Sequence, residues 1–228
     1  MRLFMAIDGA CRRNGRPDCT ASGGVFIKGI DDDGIVIGYA TKAVHEYGST
    51  NQRGELLALL MALRVVFRRQ CEAHIVTDSE YLFNAMTKQW YKSWQSGGWL
   101  TRDGSDVKNR DIWVQIAEYA NMLERDGIEV IFYHIKGHCI PFGSVTARNA
   151  LVDDPTGETL LKLVCDKYDA VAPTKVDLLK YASDLSIKNN GFPLELNGPI
   201  IKEWVTANVV ADAIATKAVD EADSRRET

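Results

Sequence analysis

Residues 2–9 read RLFMAIDG, residues 50–63 read TNQRGELLALLMAL, and residues 74–82 read HIVTDSEYL. The first and third are apolar runs that lead into an aspartate, Asp8 and Asp78. The second puts Glu55 at the head of a pattern with Leu56, Leu59, Leu60, Leu63, Val66 and Phe67 at the spacing of one helix face. A carboxylate at the end of an apolar strand is costly to desolvate without a partner. Three of them, on three separate elements, point to one shared partner, and a hard divalent cation suits their oxygen atoms.

Working outward, residues 22–30 (SGGVFIKGI) and 35–43 (IVIGYATKA) have strand character and are joined by DDDG at 31–34. That triple aspartate reads as a solvated hairpin turn and not as a metal cluster. The spacing predicts helices over 51–69, 79–87 (capped by Ser79) and 107–126, the last with Ile112, Ile116, Tyr119 and Leu123 on one face. Short strands are predicted at 74–77 and 128–135. Three strands in succession, then alternating helix and strand, give an α/β class with a mixed sheet covered by helices. Further on, helical patterns at 157–170 and 174–188 flank Pro173, and a turn-rich stretch fills 189–199. An Ala-rich helical frame surrounds Asp212, and the end, DEADSRRET, is expected to fray.

The chain has 228 residues, 46% of them hydrophobic and 25% charged, as expected of a soluble globular protein. No apolar run approaches the roughly 20 residues that span a bilayer. The N-terminus runs straight into the Asp8 motif, so it reads as strand and not as signal peptide. The odd number of cysteines (Cys11, Cys19, Cys71, Cys139 and Cys165), with no CxxC spacing, is expected of reduced thiols in a cytoplasmic protein. Net charge is −4, which alone is a poor sign of nucleic-acid binding. The charge is uneven, however: residues 1–138 hold 17 basic and 17 acidic side chains, and residues 139–228 hold 10 and 14. The part with most of the motifs is therefore neutral, and bound cations would shift it positive.

Seven frames occur in one order: DGACRRNG (8–15), STNQRGELLAL (49–59), TDSEYL (77–82), QWYKSWQSGGW (89–99), VKNRDIW (107–113), IKGH (135–138) and NVVADAIA (208–215). In order and approximate spacing they resemble ribonuclease H of type 1, the family that cuts the RNA strand of an RNA–DNA hybrid. The resemblance covers residues 1–138 and about 207–222. It implies a ribonuclease-H-like five-stranded mixed sheet flanked by helices, with residues 139–206 as a helical insertion and 223–228 as a charged tail. In the family a short glycine-containing loop stands where this insertion does. The pattern begins at residue 2, so no separate hybrid-binding module is expected ahead of it.

The resemblance also assigns roles. Asp8, Glu55 and Asp78 match the first three ligands of a Mg²⁺ site that takes two ions with substrate, and Mn²⁺ is an alternative. Asp212 matches the fourth, in the frame Asn208–Asp212; Asn149–Asp153 is a looser match, and Asp153 and Asp154 precede Pro155, where a helix seldom runs on. His138 matches a histidine of the family that transfers a proton or helps release product. Asn14, Asn51 and Gln52 match readers of the RNA 2′-hydroxyl, Thr50 and Asn109 a pocket for a DNA phosphate, and Trp90 and Trp94, with Trp99, the protrusion against the DNA strand. Lys88 and Lys92 are a thin basic ridge there, for which Arg12, Arg13 and Arg16 could compensate. The implied activity is metal-dependent cleavage leaving 3′-hydroxyl and 5′-phosphate ends, by a monomer bound to the hybrid and not to a membrane. The insertion would be a helical appendage beside the cleft, bearing on substrate choice or a protein partner. The rivals are a nuclease of this fold acting on another duplex or junction, and a non-catalytic nucleic-acid-binding module.

Overall fold

The computed structural model describes residues 1–137, 142–170 and 198–226. Three long strands come first: β1 (Arg2–Arg12), β2 (Thr20–Ile30) and β3 (Val36–Tyr47). They pair antiparallel, with Asp8 opposite Gly24 and Gly9 opposite Gly23. Helix α1 (Asn51–Arg69) follows, then β4 (Ala73–Thr77), α2 (Glu80–Thr87), α3 (Trp90–Ser96), α4 (Arg110–Arg125) and β5 (Val130–His134). β4 and β5 add in parallel beside β1, giving a mixed sheet of order β3-β2-β1-β4-β5. After β5 come α5 (Ser144–Asp153), α6 (Glu158–Ala170) and the long α7 (Gly198–Arg226).

Strand alternation divides the interior in two. Leu3, Met5, Ile7, Val25 and Ile27 face α1 and α4, where Leu56, Leu59, Leu63 and the fully buried Trp113 meet them. Phe4, Ala6, Phe26 and Val76 face the other way, toward α5, α6 and α7. Both helices that lie on β2 come very close to it. A Cβ on Gly23 would collide with the Gly54 carbonyl and Ala58 of α1, and one on Gly24 with the Ala211 carbonyl and Ala215 amide of α7. Two adjacent residues without side chains thus admit a helix on each face of the same strand.

Helix α1 starts and ends for local reasons. The Thr50 side chain accepts from the Arg53 amide at the N-cap, and Gln70 ends the helix in the left-handed region with φ 51°. Ser79 likewise caps α2.

Four expectations are corrected. The described part of the insertion is no appendage, because Ala147, Ala150 and Leu151 of α5 and Leu160, Val164 and Tyr168 of α6 belong to the second core. Thr41 of β3 also donates to the Pro155 carbonyl at 2.7 Å. Helix α7 begins before residue 207, and Trp204 packs on Tyr133 with ring centroids 4.4 Å apart. The charged end continues α7 through Arg226, with Asp223 buried, and residues 227–228 lie outside the described residues. The cysteines are not all free, because Cys11 and Cys19 form a disulfide across the base of the β1–β2 loop, whereas Cys71 and Cys165 are free thiols. Strand pairing, which spacing alone does not reveal, brings that pair together. Residues 174–188 and Cys139 lie outside the described residues. Among the described residues no helix is long and apolar enough to cross a membrane.

Replacing Gly24 with alanine should lower the unfolding free energy by about 1–3 kcal/mol, the usual cost of forcing a group into a full contact. Urea denaturation measures it, and an unchanged midpoint would mean that α7 is free to shift outward.

Candidate active site

Asp8 lies on the α7 face of β1, at the level where Gly24 lets that helix approach. It is 7% exposed. Burial pushes its carboxyl well above the ordinary carboxylate range, and the charges of Asp78, Asp212 and, more weakly, Glu55 push the same way. Only the Gly9 amide, which donates to Asp8 Oδ1 at 2.7 Å, pulls against them. Asp8 therefore feels three other carboxylates, from the end of β4, from α1 and from α7.

Each of those carboxylates has a positioning device. Glu55 accepts from the Ser79 hydroxyl at 2.5 Å and from Asn51 Nδ2 at 3.2 Å. Burial raises its carboxyl as well, with the Ser79 bond opposing and the Asp78 charge adding. Asp78 is turned against Gly137, where any Cβ would strike its carboxylate. Asp212 sits on α7 one turn after the buried Asn208, and α7 packs through Ala211, Ile214 and Ala215. By contrast Asp153 is exposed at the end of α5. Its neighbour Asp154 accepts from the Thr156 and Thr159 amides at 3.0 and 2.9 Å, which leads into α6. His138 lies outside the described residues.

The donor set is all carboxylate oxygen, which fits a hard divalent cation such as Mg²⁺ or Mn²⁺. Among the described residues no three acidic, histidine or cysteine side chains already stand at metal-ligand spacing. Glu55 is held by Ser79 and Asn51, and Asp78 lies against Gly137.

Next to the acids lies a polar face. Asn14 is exposed in the β1–β2 loop, and its Oδ1 accepts from the Asn51 amide at 3.4 Å. Gln52 Oε1 accepts from Asn109 Nδ2 at 3.2 Å. Asn109 stands at the N-cap of α4 with φ 59° but makes no cap bond through its side chain. Its Oδ1 instead accepts from Arg53 Nη1 at 3.4 Å. Arg53 grips Glu46 through Nε (2.7 Å) and Nη2 (2.9 Å), and Asp111 through Nη2 (2.7 Å) and Nη1 (2.9 Å). That brace fixes the start of α1 against the start of α4. Helical spacing alone does not single out Arg53, whose partners come from β3 and α4.

Trp90 and Trp94 are half-buried in a line of rings: Tyr81–Trp90 at 6.4 Å, Trp90–Trp94 at 6.2 Å and Trp94–Trp113 at 5.2 Å. Trp99 is buried in the first core. Gln52, Trp94, Arg102 and Lys108 line one open groove. Lys88 lies over the Trp90 ring, while Lys92 pairs with Glu124. Arg12 and Arg13 each pair with an acid of α7 while their side chains stay exposed.

The RNase H family model matches residues 2–159. A Ribonuclease H of Prosthecochloris aestuarii is 31% identical over 137 residues, which is 60% of this chain and 84% of that protein. A Ribonuclease H of Francisella tularensis subsp. novicida is 29% identical over 167 residues, 72% of this chain and 93% of that protein. The crystal structure of a type 1 RNase H with the type 2 active-site motif aligns with a TM-score of 0.51 and 24% identity, over 60% of this chain and 64% of that one. The family match takes in α5 and stops before α7, so the stretch aligned with the family and the helix beside Asp8 are different parts of the chain. By sequence and by fold, the chain belongs to the RNase H family and is a ribonuclease H enzyme.

Proposed function

We propose that this enzyme hydrolyses the RNA strand of RNA–DNA hybrids with divalent cations, leaving 3′-hydroxyl and 5′-phosphate ends. One observation carries the reading: a buried aspartate within β1, surrounded by three further carboxylates and bordered by the amide-bearing Asn14, Asn51 and Gln52.

Asp8, Glu55, Asp78 and Asp212 would hold Mg²⁺, two ions in the substrate complex, with Mn²⁺ as a substitute. Bound there, such ions activate a water and relieve charge on the leaving oxygen. The chain's own residues prepare that chemistry. Asp8 contributes charge where water is excluded, and the Gly9 amide holds its oxygen in place. Ser79 and Asn51 orient Glu55. His138, next after Gly137 in sequence, would move a proton to the leaving oxygen or help release product. Distinguishing RNA from DNA requires groups that read a 2′-hydroxyl, which both donates and accepts. Side-chain amides do both, and Asn14, Asn51 and Gln52 supply them. Thr50 and Asn109 would take a DNA phosphate, and Trp90 and Trp94 would lie along the DNA strand.

The test is incubation with a labelled hybrid, matched RNA and DNA duplexes, and Mg²⁺, Mn²⁺ or EDTA. Cleavage of the hybrid alone, abolished by EDTA, is expected; equal cleavage of a DNA duplex would support the rival nuclease reading.

Asp8→Asn and Asp78→Asn should abolish turnover while hybrid binding stays measurable. Asp212→Asn should cost far more activity than Asp153→Asn, with part of the loss hidden in Mn²⁺. A dead Asp153→Asn beside an active Asp212→Asn would reverse the ligand assignment.

Without metal, Asp8→Asn should melt higher than the parent near neutral pH. The folded protein holds the Asp8 proton more tightly than the unfolded chain does, so Asp8's contribution is complete below the unfolded value of about 4. It is lost as pH rises through the raised folded value. The advantage of the variant should therefore shrink on acidification toward about pH 4. Melting curves in EDTA across that range decide it, and a lower Tm for the variant throughout would contradict the account.

Asn51→Ala combined with Gln52→Ala should reduce discrimination between hybrid and DNA duplex, each lost hydrogen bond being worth on the order of 1 kcal/mol. Turnover should fall too, because Asn51 also steadies Glu55. An unchanged hybrid-to-DNA ratio would make the pair structural.

A further inference from the structure

Helix α7 does not stop at the candidate ligand. Eleven residues beyond Asp212, about 16 Å along the axis, lies Asp223, which is 9% exposed. It accepts from Thr20 Oγ1 at 2.5 Å and from Arg13 Nη2 at 3.1 Å. Asp220 pairs with Arg12 and also with Arg148 of α5. Arg226 donates to the Asp18 carbonyl at 3.1 Å and lies over the Tyr47 ring. The Tyr47 hydroxyl in turn donates to the Ala222 carbonyl at 3.1 Å.

These contacts hold both sides of one loop. Arg12 and Arg13 lead into residues 12–19, Asp18 and Thr20 lead out, and Asn14 stands between them. The Cys11–Cys19 disulfide fixes the width of that loop but not where it stands relative to the rest. The last turns of α7 contribute to that, beside the Asn51 amide on Asn14 and the Gly48 amide on the Cys19 carbonyl. Aspartates there are unfavourable for the helix itself, since its C-terminal end carries partial negative charge. The guanidinium and hydroxyl partners from the loop offset that cost.

We propose that Asp223, assisted by Asp220, is a positioning residue for substrate discrimination: it anchors the β1–β2 loop so that Asn14 is presented to the hybrid at a fixed distance from Asp212. The inference rests on the hybrid-cleaving reading above. Without Asp223 the loop samples other positions, and the apparent affinity for hybrid falls by the fraction of time that Asn14 is misplaced.

The test compares Asp223→Ala, Asp223→Glu and Arg13→Gln with the parent. Arg13→Gln breaks the same contact from an exposed side chain and leaves the core intact. In substrate-free protein, amides 12–19 should exchange hydrogen faster in Asp223→Ala and Arg13→Gln, with β4 and α1 unchanged. If the loop keeps its binding position about a tenth of the time, KM for hybrid rises about tenfold while kcat stays within about twofold. The hybrid-to-DNA binding ratio, measured in EDTA, should fall in step, and Asp223→Glu should restore part of it. Unchanged loop exchange, or faster exchange with an unchanged binding ratio, overturns the proposal. So does a collapse of kcat at constant KM. A parent protein that cleaves no hybrid would overturn the hydrolytic reading, while the exchange and EDTA binding measurements would still judge the anchor.

Discussion

The close approach of two helices to one strand is the constraint on which the rest depends. β2 presents Gly23 to α1 and Gly24 to α7, and each lies opposite a residue of the first motif: Gly9 beside Gly23, Asp8 beside Gly24. Gly9 is equally crowded, since a Cβ there would meet the Glu55 amide. Side chains at these positions would push the helices outward, and with them Glu55 and Asp212. The distance between acids borne by different elements is thus set by missing side chains in the strands between them. A packed interior transmits such a shift with little damping, because few voids exist to absorb it.

That approach has an electrostatic cost. Two like charges about 4 Å apart at an effective dielectric near 20 repel by about 4 kcal/mol. A hydrogen bond to a charged group returns about 1.5–3 kcal/mol. The Gly9 amide on Asp8 and the Ser79 hydroxyl on Glu55 therefore cannot offset three carboxylate neighbours and burial together, which is why Asp8 is raised despite its bond. The site settles the imbalance by protonation, by side chains turned apart, or by a cation. The upward shift of the Asp8 and Glu55 carboxyls favours the first. The third is the one that would draw the acids together.

Local signals in the sequence were legible where cause and effect lie within a few residues. The leucine spacing located α1 at 51–69 as expected. The strands came out longer than their apolar runs, because pairing extends them into polar ends such as Ala10–Arg12. Helix α5 went unseen: Asp153, Asp154 and Pro155 read as a loop, and the proline in fact stands just beyond the helix end. The charged end was misread for a different reason. In isolation DEADSRR has the composition of a solvated tail, and what orders it is Arg13 and Thr20, about 200 residues away. Arg53 and the Cys11–Cys19 pair escaped notice in the same way, since their partners are set by tertiary packing.

The pairing of Arg12 and Arg13 bears on how an acidic chain meets a polyanion. Both are tied to acids of α7 while staying exposed, and in the hybrid-cleaving reading the other side chains for phosphate contact are few: Arg102 and Lys108 in the groove beside Trp94, with Thr50 and Asn109. Few such contacts leave less of the binding energy to counterion release. More of it must then come from stacking on exposed ring faces and from the fit of Asn14, Asn51 and Gln52 to hydroxyls. Such fit is sensitive to position in a way that diffuse charge is not. A loop tied at both sides to the helix that carries Asp212 would meet that demand: in that reading one element sets both where a sugar is read and where an acid stands.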